Sequence, residues 1–238
     1  MTPPVSEKSE KSATSKSDAV YRTLKRAILD QALAAGTKLP EDSIGERLGV
    51  SRTIVRQALA RLNGEGLIEQ RPHKGACVAQ PSLQDGRDIF AVRQALEALV
   101  VDTLAGKLTP QQIKQLETHV DAEDTARANN SANSIQLAGE FHVLLAQLTD
   151  NDVLARYVTE LVSRSSLILS LYGRPHSSDC AVSEHREIIQ ALVNSDRKKA
   201  CSLMEEHIDA ITTRALLKGN PEKDFPDLLV AYAKAEGL

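Results

Sequence analysis

Apolar residues recur every three or four positions along most of the chain, with polar residues between them. That period lays one apolar stripe along each of a series of helices, so the chain reads as mainly α. Residues 18–34 carry the first stripe, Val20, Leu24, Ala27, Ile28 and Leu33, with Asp18 as its N-cap. A short helix precedes Gly49-Val50 and another follows it, with Ser51 as N-cap and Ile54, Val55, Ala58, Leu59 and Leu62 turned to a core. Gly64-Glu65-Gly66 stops that helix. Leu67-Ile68-Glu69 and Ala76-Cys77-Val78 then read as short strands joined by a basic turn. Gln80-Pro81-Ser82 breaks the pattern and marks a boundary. Beyond it the period predicts six helices, over about 84–106, 110–129, 134–149, 151–171, 183–194 and 196–218. Thr109-Pro110 supplies a cap and a first-turn proline, and Gly173-Arg174-Pro175 stops the fourth of these helices.

Helix, tight turn, helix and two-stranded hairpin make a winged helix-turn-helix, here over residues 18–80. Residues 81–220 then form an antiparallel six-helix bundle. Residues 1–17 carry almost nothing apolar and are expected to be disordered. The tail, 221–238, holds a candidate short helix at 227–235.

The helix after Ser51 carries Arg52, Arg56 and Arg61 and no acid until Glu65. An apolar back with an arginine front is the layout of a recognition helix in the DNA major groove. Arg52 and Arg56 are the candidates for base edges, guanine O6 and N7 above all. Arg22, Ser51, Thr53, His73, Lys74 and Gly75 are candidates for the backbone or the minor groove. One such head reads a half-site, so the expected complex is a homodimer on a palindromic operator of double-stranded DNA.

Charge agrees with this division. Residues 18–80 hold ten Lys/Arg against seven Asp/Glu, or +3, and residues 81–238 hold sixteen against twenty-three, or −7. The first part suits phosphates and the second does not. Three cysteines, Cys77, Cys180 and Cys201, lack metal-ligand spacing and read as reduced thiols. No signal-peptide or membrane-spanning apolar run is present, so a cytoplasmic location is expected.

The bundle carries polar residues on stripes that must be buried, which is costly for an unpaired group. His142, His185 and His207 lie on inward stripes of three different helices. Any one of them reads as a core histidine bonded to backbone. Three together read as a metal site, since facing helices build such sites from converging side chains. Arg93 and Arg164 also lie on apolar stripes. Arg93 suits an ion pair with Glu97 one turn on, and both arginines suit a clamp for a small acidic effector.

The head resembles the DNA-binding domain of the GntR superfamily of bacterial repressors. Gly36, Leu39, Leu48 to Arg52, Val55, Arg56, Ala58, Leu59, Leu62, Gly66, Leu67, Gly75 and Val78 carry the match. Ile54 stands where the family usually has Pro, and Asp42 where a basic residue often contacts phosphate. A winged helix followed by six helices is similar to the FadR-like subfamily with its FCD effector domain. That resemblance implies a ligand-responsive repressor of a metabolic operon, released by a small organic acid or acidic heterocycle. It makes His142, His185 and His207 ligands of a divalent metal such as zinc, nickel or manganese.

The fourth ligand of that pattern is an aspartate one turn before the first histidine, and Ala138 stands there. Glu140 does not replace it, because two residues turn about 200° around a helix. The site is then a three-histidine centre completed by water or the effector's carboxylate, or a metal-free cavity for an anion. Arg93 and Glu97 match the R-x-x-L-E opening of the domain. Asn151 matches an asparagine bordering its cavity, although capping the next helix explains it equally. With Arg164 these are the effector-binding candidates.

Two other functions fit less well. A helical metal hydrolase or lyase lacks a nucleophile elbow, a phosphate loop or an H-E-x-x-H pattern in this chain. An architectural DNA binder would not require arginines and histidines inside a bundle.

Overall fold

The computed structural model describes residues 7–71, 75–128, 134–172 and 181–216, with side chains from residue 16 onward. Nine helices and one hairpin appear among them, in the order α1(Glu7–Leu29), α2(Glu41–Leu48), α3(Arg52–Gly64), β1(Ile68–Arg71), β2(Gly75–Val78), α4(Leu83–Leu104), α5(Pro110–Ala128), α6(Ser134–Gln147), α7(Asp152–Tyr172), α8(Ala181–Val193) and α9(Arg197–Leu216). The 227–235 helix, Cys180 and Gly173-Arg174-Pro175 lie outside the described residues.

The head follows the sequence pattern closely. Gly49 adopts φ 63°, the left-handed conformation that lets α2 turn directly into α3. Ser51 caps α3 by accepting from the Ile54 amide at 3.4 Å. Val55, Ala58, Leu59 and Leu62 are buried against Val20, Leu24 and Ile28 of α1. The wing pairs Ile68 with Val78 and Arg71 with Gly75, and the Leu39 amide donates to the Ala76 carbonyl at 2.9 Å.

The first helix departs from expectation at both ends. It starts at Glu7 rather than Asp18, so residues 7–17 are helical instead of disordered. That stretch contains neither Pro nor Gly, and a helix already packed at one end extends by one hydrogen bond per residue without a new nucleus. The helix ends at Leu29, before Gln31 turns left-handed at φ 57°, and Leu33 packs on the core from the following loop.

In the bundle, Ser82 and Asp85 form a capping box that opens α4, and Thr109 with Gln112 caps α5. Helix α4 packs on α7 and α9, and α5 on α6 and α8. Phe90, Val100, Leu116, Val120, Phe141 and Leu145 lie in the core.

Helix α7 serves both parts. Its Leu167 is buried in the apolar core of the head. Four positions earlier, Ser163 donates to Glu65 Oε2 at 2.8 Å, and Lys25 Nζ donates to both Glu65 Oε2 (2.8 Å) and Ser163 Oγ (3.1 Å). Tyr21 Oη donates to Glu65 Oε1 at 2.6 Å, completing a polar junction between α1, the end of α3 and α7.

Candidate functional site

The three histidines meet. His142 on α6, His185 on α8 and His207 on α9 are all buried, and each turns its Nδ1 to a carboxylate. His142 Nδ1 meets Glu97 of α4, His185 Nδ1 lies 2.8 Å from Glu123 of α5, and His207 Nδ1 lies 2.5 Å from Glu184 of α8. A carboxylate there selects the Nδ1–H tautomer and leaves Nε2 with its lone pair. The Nε2 atoms converge: that of His207 lies 3.1 Å from that of His142 and 3.2 Å from that of His185. Lone pairs so close repel unless a positive centre joins them. An ion bonded tetrahedrally at about 2.0–2.1 Å spaces its nitrogen ligands by roughly 3.3 Å, so the set fits a divalent cation. Phe141 stacks on the His185 ring at a centroid distance of 3.9 Å and holds its plane.

Burial sets the protonation of the site. It pushes His207 down to about 4 and His185 to about 3. It pushes His142 well below the usual imidazole range, with the Arg93 charge adding to the effect. All three are therefore neutral at neutral pH, the form in which imidazole can bind a metal. Burial lifts the Glu123 carboxyl to about 7. Burial also works to raise Glu184, but the hydrogen bond from His207 holds it below the usual carboxylate range.

A pH dependence follows. The three histidines bind protons more readily unfolded than folded, so their contribution to stability is complete above about 6.5 and is lost progressively as pH falls from there toward the folded values of about 4 and 3. Glu123 works in the opposite direction, since its folded pKa is raised. With three groups against one, the melting temperature of chelator-treated protein should fall between pH 7 and pH 5. Zinc-saturated protein should melt higher throughout but fall at least as steeply, because a bound cation keeps protons off the folded histidines while the unfolded chain still takes them up. Scanning fluorimetry over that range, with and without zinc, measures both slopes.

Beside the histidines lies a cavity of about 50 Å³ lined by Arg93, Ala138, His142, Ser166 and His207 together with Ile135, Leu169 and Ile211. Arg93 donates from Nε to Glu97 at 2.5 Å and from Nη1 to Ser165 Oγ at 2.9 Å. Its Nη2 is buried and has no hydrogen-bond partner among the described residues. Arginine cannot shed its charge, so such an amine in a cavity wall is complementary to an anion. Ala138 lines the wall one turn before His142, where a longer side chain would reach toward the histidines. Arg214 of α9 also lines the cavity.

The other predicted effector residues fall elsewhere. Glu97 spends its two oxygens on Arg93 and His142 and does not line the cavity. Asn151 accepts from the Leu154 amide at 3.1 Å, so it caps α7 and is exposed. Arg164 lies on the stripe of Leu161, Leu167 and Leu171 as predicted, but that stripe faces the head. Its guanidinium pairs with Glu160 at 2.9 Å and covers Gly66. Gly66 has φ 69°, and a Cβ there would sit 2.2 Å from Arg164 Nε.

Glu123, Glu184 and Arg214 were not singled out from the sequence. Signals for two of them exist: Glu123 shares the stripe of Leu116 and Val120, and Arg214 follows His207 by two turns.

On the head, Arg52, Thr53 and Arg56 are exposed along α3, and Ser51 is engaged as its cap. Both arginines pair with acids of α2: Arg56 Nη2 donates to Glu41 at 2.8 Å, and Arg52 Nε meets Asp42. Arg22 lies in a depression between head and bundle, with Arg61, Gln136 and Glu140. Gly75 begins β2 with φ 73°, while His73 and Lys74 lie outside the described residues.

Comparison with known proteins agrees with both halves. The model for bacterial regulatory proteins of the gntR family matches residues 16–78, and the FCD domain model matches residues 88–210, more than half of the chain. The chain belongs to the GntR family, with an FCD domain. It is a DNA-binding transcriptional regulator. It is 28% identical to the HTH-type transcriptional repressor RspR of Escherichia coli K12 over 81% of this chain and 86% of that one. To the Uxu operon regulator of Haemophilus influenzae it is 27% identical, covering 82% of this chain and 80% of the relative. Among solved structures, a GntR regulator from Rhodococcus sp. RHA1 superposes with a TM-score of 0.70 at 22% identity, covering 85% of this chain and 98% of the other. E. coli McbR/YncC shares the fold with a TM-score of 0.69 at 19% identity, covering 92% and 98%. No helix among the described residues is long and apolar enough to cross a membrane.

Proposed function

We propose that this GntR-family regulator is a cytoplasmic, homodimeric repressor of a metabolic operon, released by a small organic acid bound in its FCD domain. One observation carries the effector class: Arg93, whose buried Nη2 has no partner among the described residues, lines the cavity that adjoins the three converging Nε2 atoms. His142, His185 and His207 would hold a divalent cation there, and the cation would supply a Lewis-acidic anchor for a carboxylate. Arg93 holds the other end of the anion and Ser166 lies beside it. The cavity is small, at about 50 Å³, and suits a compact acid. Relatives that regulate the Uxu operon support the metabolic reading.

Helix α7 is the route from cavity to head. Ser165 contacts Arg93 and Ser166 lines the cavity, while Ser163 and Leu167 engage the head. An anion that draws Arg93 or Ser166 toward itself shifts the same turn of helix that holds Lys25 and Glu65. A ligand moves such an equilibrium only by binding the two placements of the head unequally.

The test uses an operator selected from random duplexes and a panel of mono-, di- and tricarboxylates added with zinc. At least one acid should weaken operator binding, and neutral or cationic analogues should not. The Ser163→Ala variant should bind operator and zinc as wild type does, yet lose most of that release. Release by neutral compounds alone would contradict the acid reading. Undiminished release in Ser163→Ala would contradict the route through α7.

A further inference from the structure

The first turn of α2 presents two acids, Glu41 and Asp42, to the two candidate reading arginines. Glu41 approaches Arg56 side-on: Nε donates to its two oxygens at 3.1 and 3.2 Å, and Nη2 donates to Oε2 at 2.8 Å. Asp42, the next residue, meets Nε of Arg52 one turn earlier on α3. Both acids sit in the first turn of α2, where the helix dipole favours carboxylates, so they are presented from a regular element and not from a loop. The hydrogen bond from Arg56 also holds Glu41 below the usual carboxylate range, which keeps it charged under ordinary conditions.

The side-on approach matters for recognition. A guanidinium has five N–H groups. Glu41 occupies Nε–H and one hydrogen of Nη2, leaving the end-on fork of Nη1 and Nη2 free. Two parallel donors of that kind match guanine O6 and N7. Both arginines are largely exposed, at 69% and 70% of the side chain, so the pairs contribute little to stability. Their effect falls on what the arginines do when DNA arrives.

We infer that Glu41 and Asp42 are specificity-determining residues that hold Arg56 and Arg52 in a base-reading posture and away from phosphate. Two physical effects act together. Fixing the guanidinium before binding lowers the rotamer entropy lost on docking at the correct base. A carboxylate beside each arginine also repels phosphate oxygens, which penalises the sequence-independent backbone contacts that dominate non-specific binding. Asp42, which looks like a lost phosphate contact when read as a departure from the family pattern, becomes a device for selectivity.

The inference rests on base reading by Arg56, and the experiment separates the two. Affinities for the selected operator and for a scrambled duplex of the same length are measured by fluorescence anisotropy at several salt concentrations. Wild type is compared with Glu41→Gln, Asp42→Asn, Arg56→Ala and Glu46→Gln. Glu46→Gln makes the same change of charge at an exposed position on the same helix. Glu41→Gln should bind scrambled DNA severalfold more tightly and lower the operator-to-scrambled ratio about tenfold, with Asp42→Asn acting in the same direction. Glu46→Gln should strengthen both affinities alike and leave the ratio unchanged. A ratio within twofold of wild type in Glu41→Gln would overturn the inference, as would an equal fall in Glu46→Gln. Should Arg56→Ala keep the wild-type ratio, base reading itself fails and the inference falls with it. Should Arg56→Ala lose the ratio while Glu41→Gln keeps it, only the inference fails. Melting temperatures of the variants show that a change in ratio is not a change in folding.

Discussion

Replacing Arg56 with alanine should remove most of the preference for operator over scrambled DNA while leaving the fold intact. Arg56 stands on the solvent face of α3, opposite the buried Val55, Ala58, Leu59 and Leu62, so its truncation opens no cavity. A bidentate arginine–guanine contact discriminates against the wrong base by about ten- to a hundredfold. In a symmetric dimer the loss occurs in both half-sites, so the fall in the ratio should sit at the upper end of that range or beyond it. The melting temperature and far-ultraviolet circular dichroism should stay as in wild type. The salt slope of the residual binding should change little, because phosphate contacts set that slope and base contacts do not. A variant that kept wild-type preference would move the reading role away from α3.

The second large effect concerns Ala138. Substituting aspartate there should tighten zinc binding about tenfold or more, the scale on which single interactions around a site alter metal affinity. The position lines the cavity one helical turn before His142, and the three Nε2 atoms leave a tetrahedral cation one ligand short. An aspartate would add a bond and a negative charge to a site whose three ligands are neutral, offsetting the charge of a divalent ion. Titration of chelator-treated protein reads the change directly, and so does stabilisation, which reaches about 2.7 kcal/mol at a hundredfold excess over Kd. The same substitution should weaken release of DNA by carboxylates, since the position left for the effector's oxygen is then occupied. Equal zinc affinity in wild type and Ala138→Asp would mean that the histidines do not form a metal centre. Tighter zinc with undiminished release would place the effector on Arg93 alone.

Much of this molecule follows from local regularities. The period of three and four placed α4 to α9 within a few residues of their observed bounds, because each helix needs one apolar stripe and the chain supplies it. Gly49 and Ser51 mark the turn before α3 and its cap, since left-handed φ and an N-cap hydroxyl are properties of single residues. Inward placement of His142, His185 and His207 was legible for the same reason. A polar residue in register with apolar neighbours shares their burial.

What a stripe is buried against is another matter, and the tertiary structure decided it. Arg164 shares its stripe with Leu167 and Leu171, yet that stripe packs on the head, so the arginine covers Gly66 and does not line the cavity beside the histidines. Glu97, Glu123 and Glu184 come from three different helices to meet the three imidazoles, and no spacing along the chain expresses those pairings. Glu41 and Arg56 are fifteen residues apart on different helices and meet only because Gly49 folds α2 back against α3. Helix α1 begins eleven residues before the apolar pattern does, since propagation from a packed segment requires no apolar residues of its own. Periodicity along one chain reports which side of each element leaves water. The partner that receives that side, and the polar groups brought together when it does, depend on contacts between residues far apart in sequence.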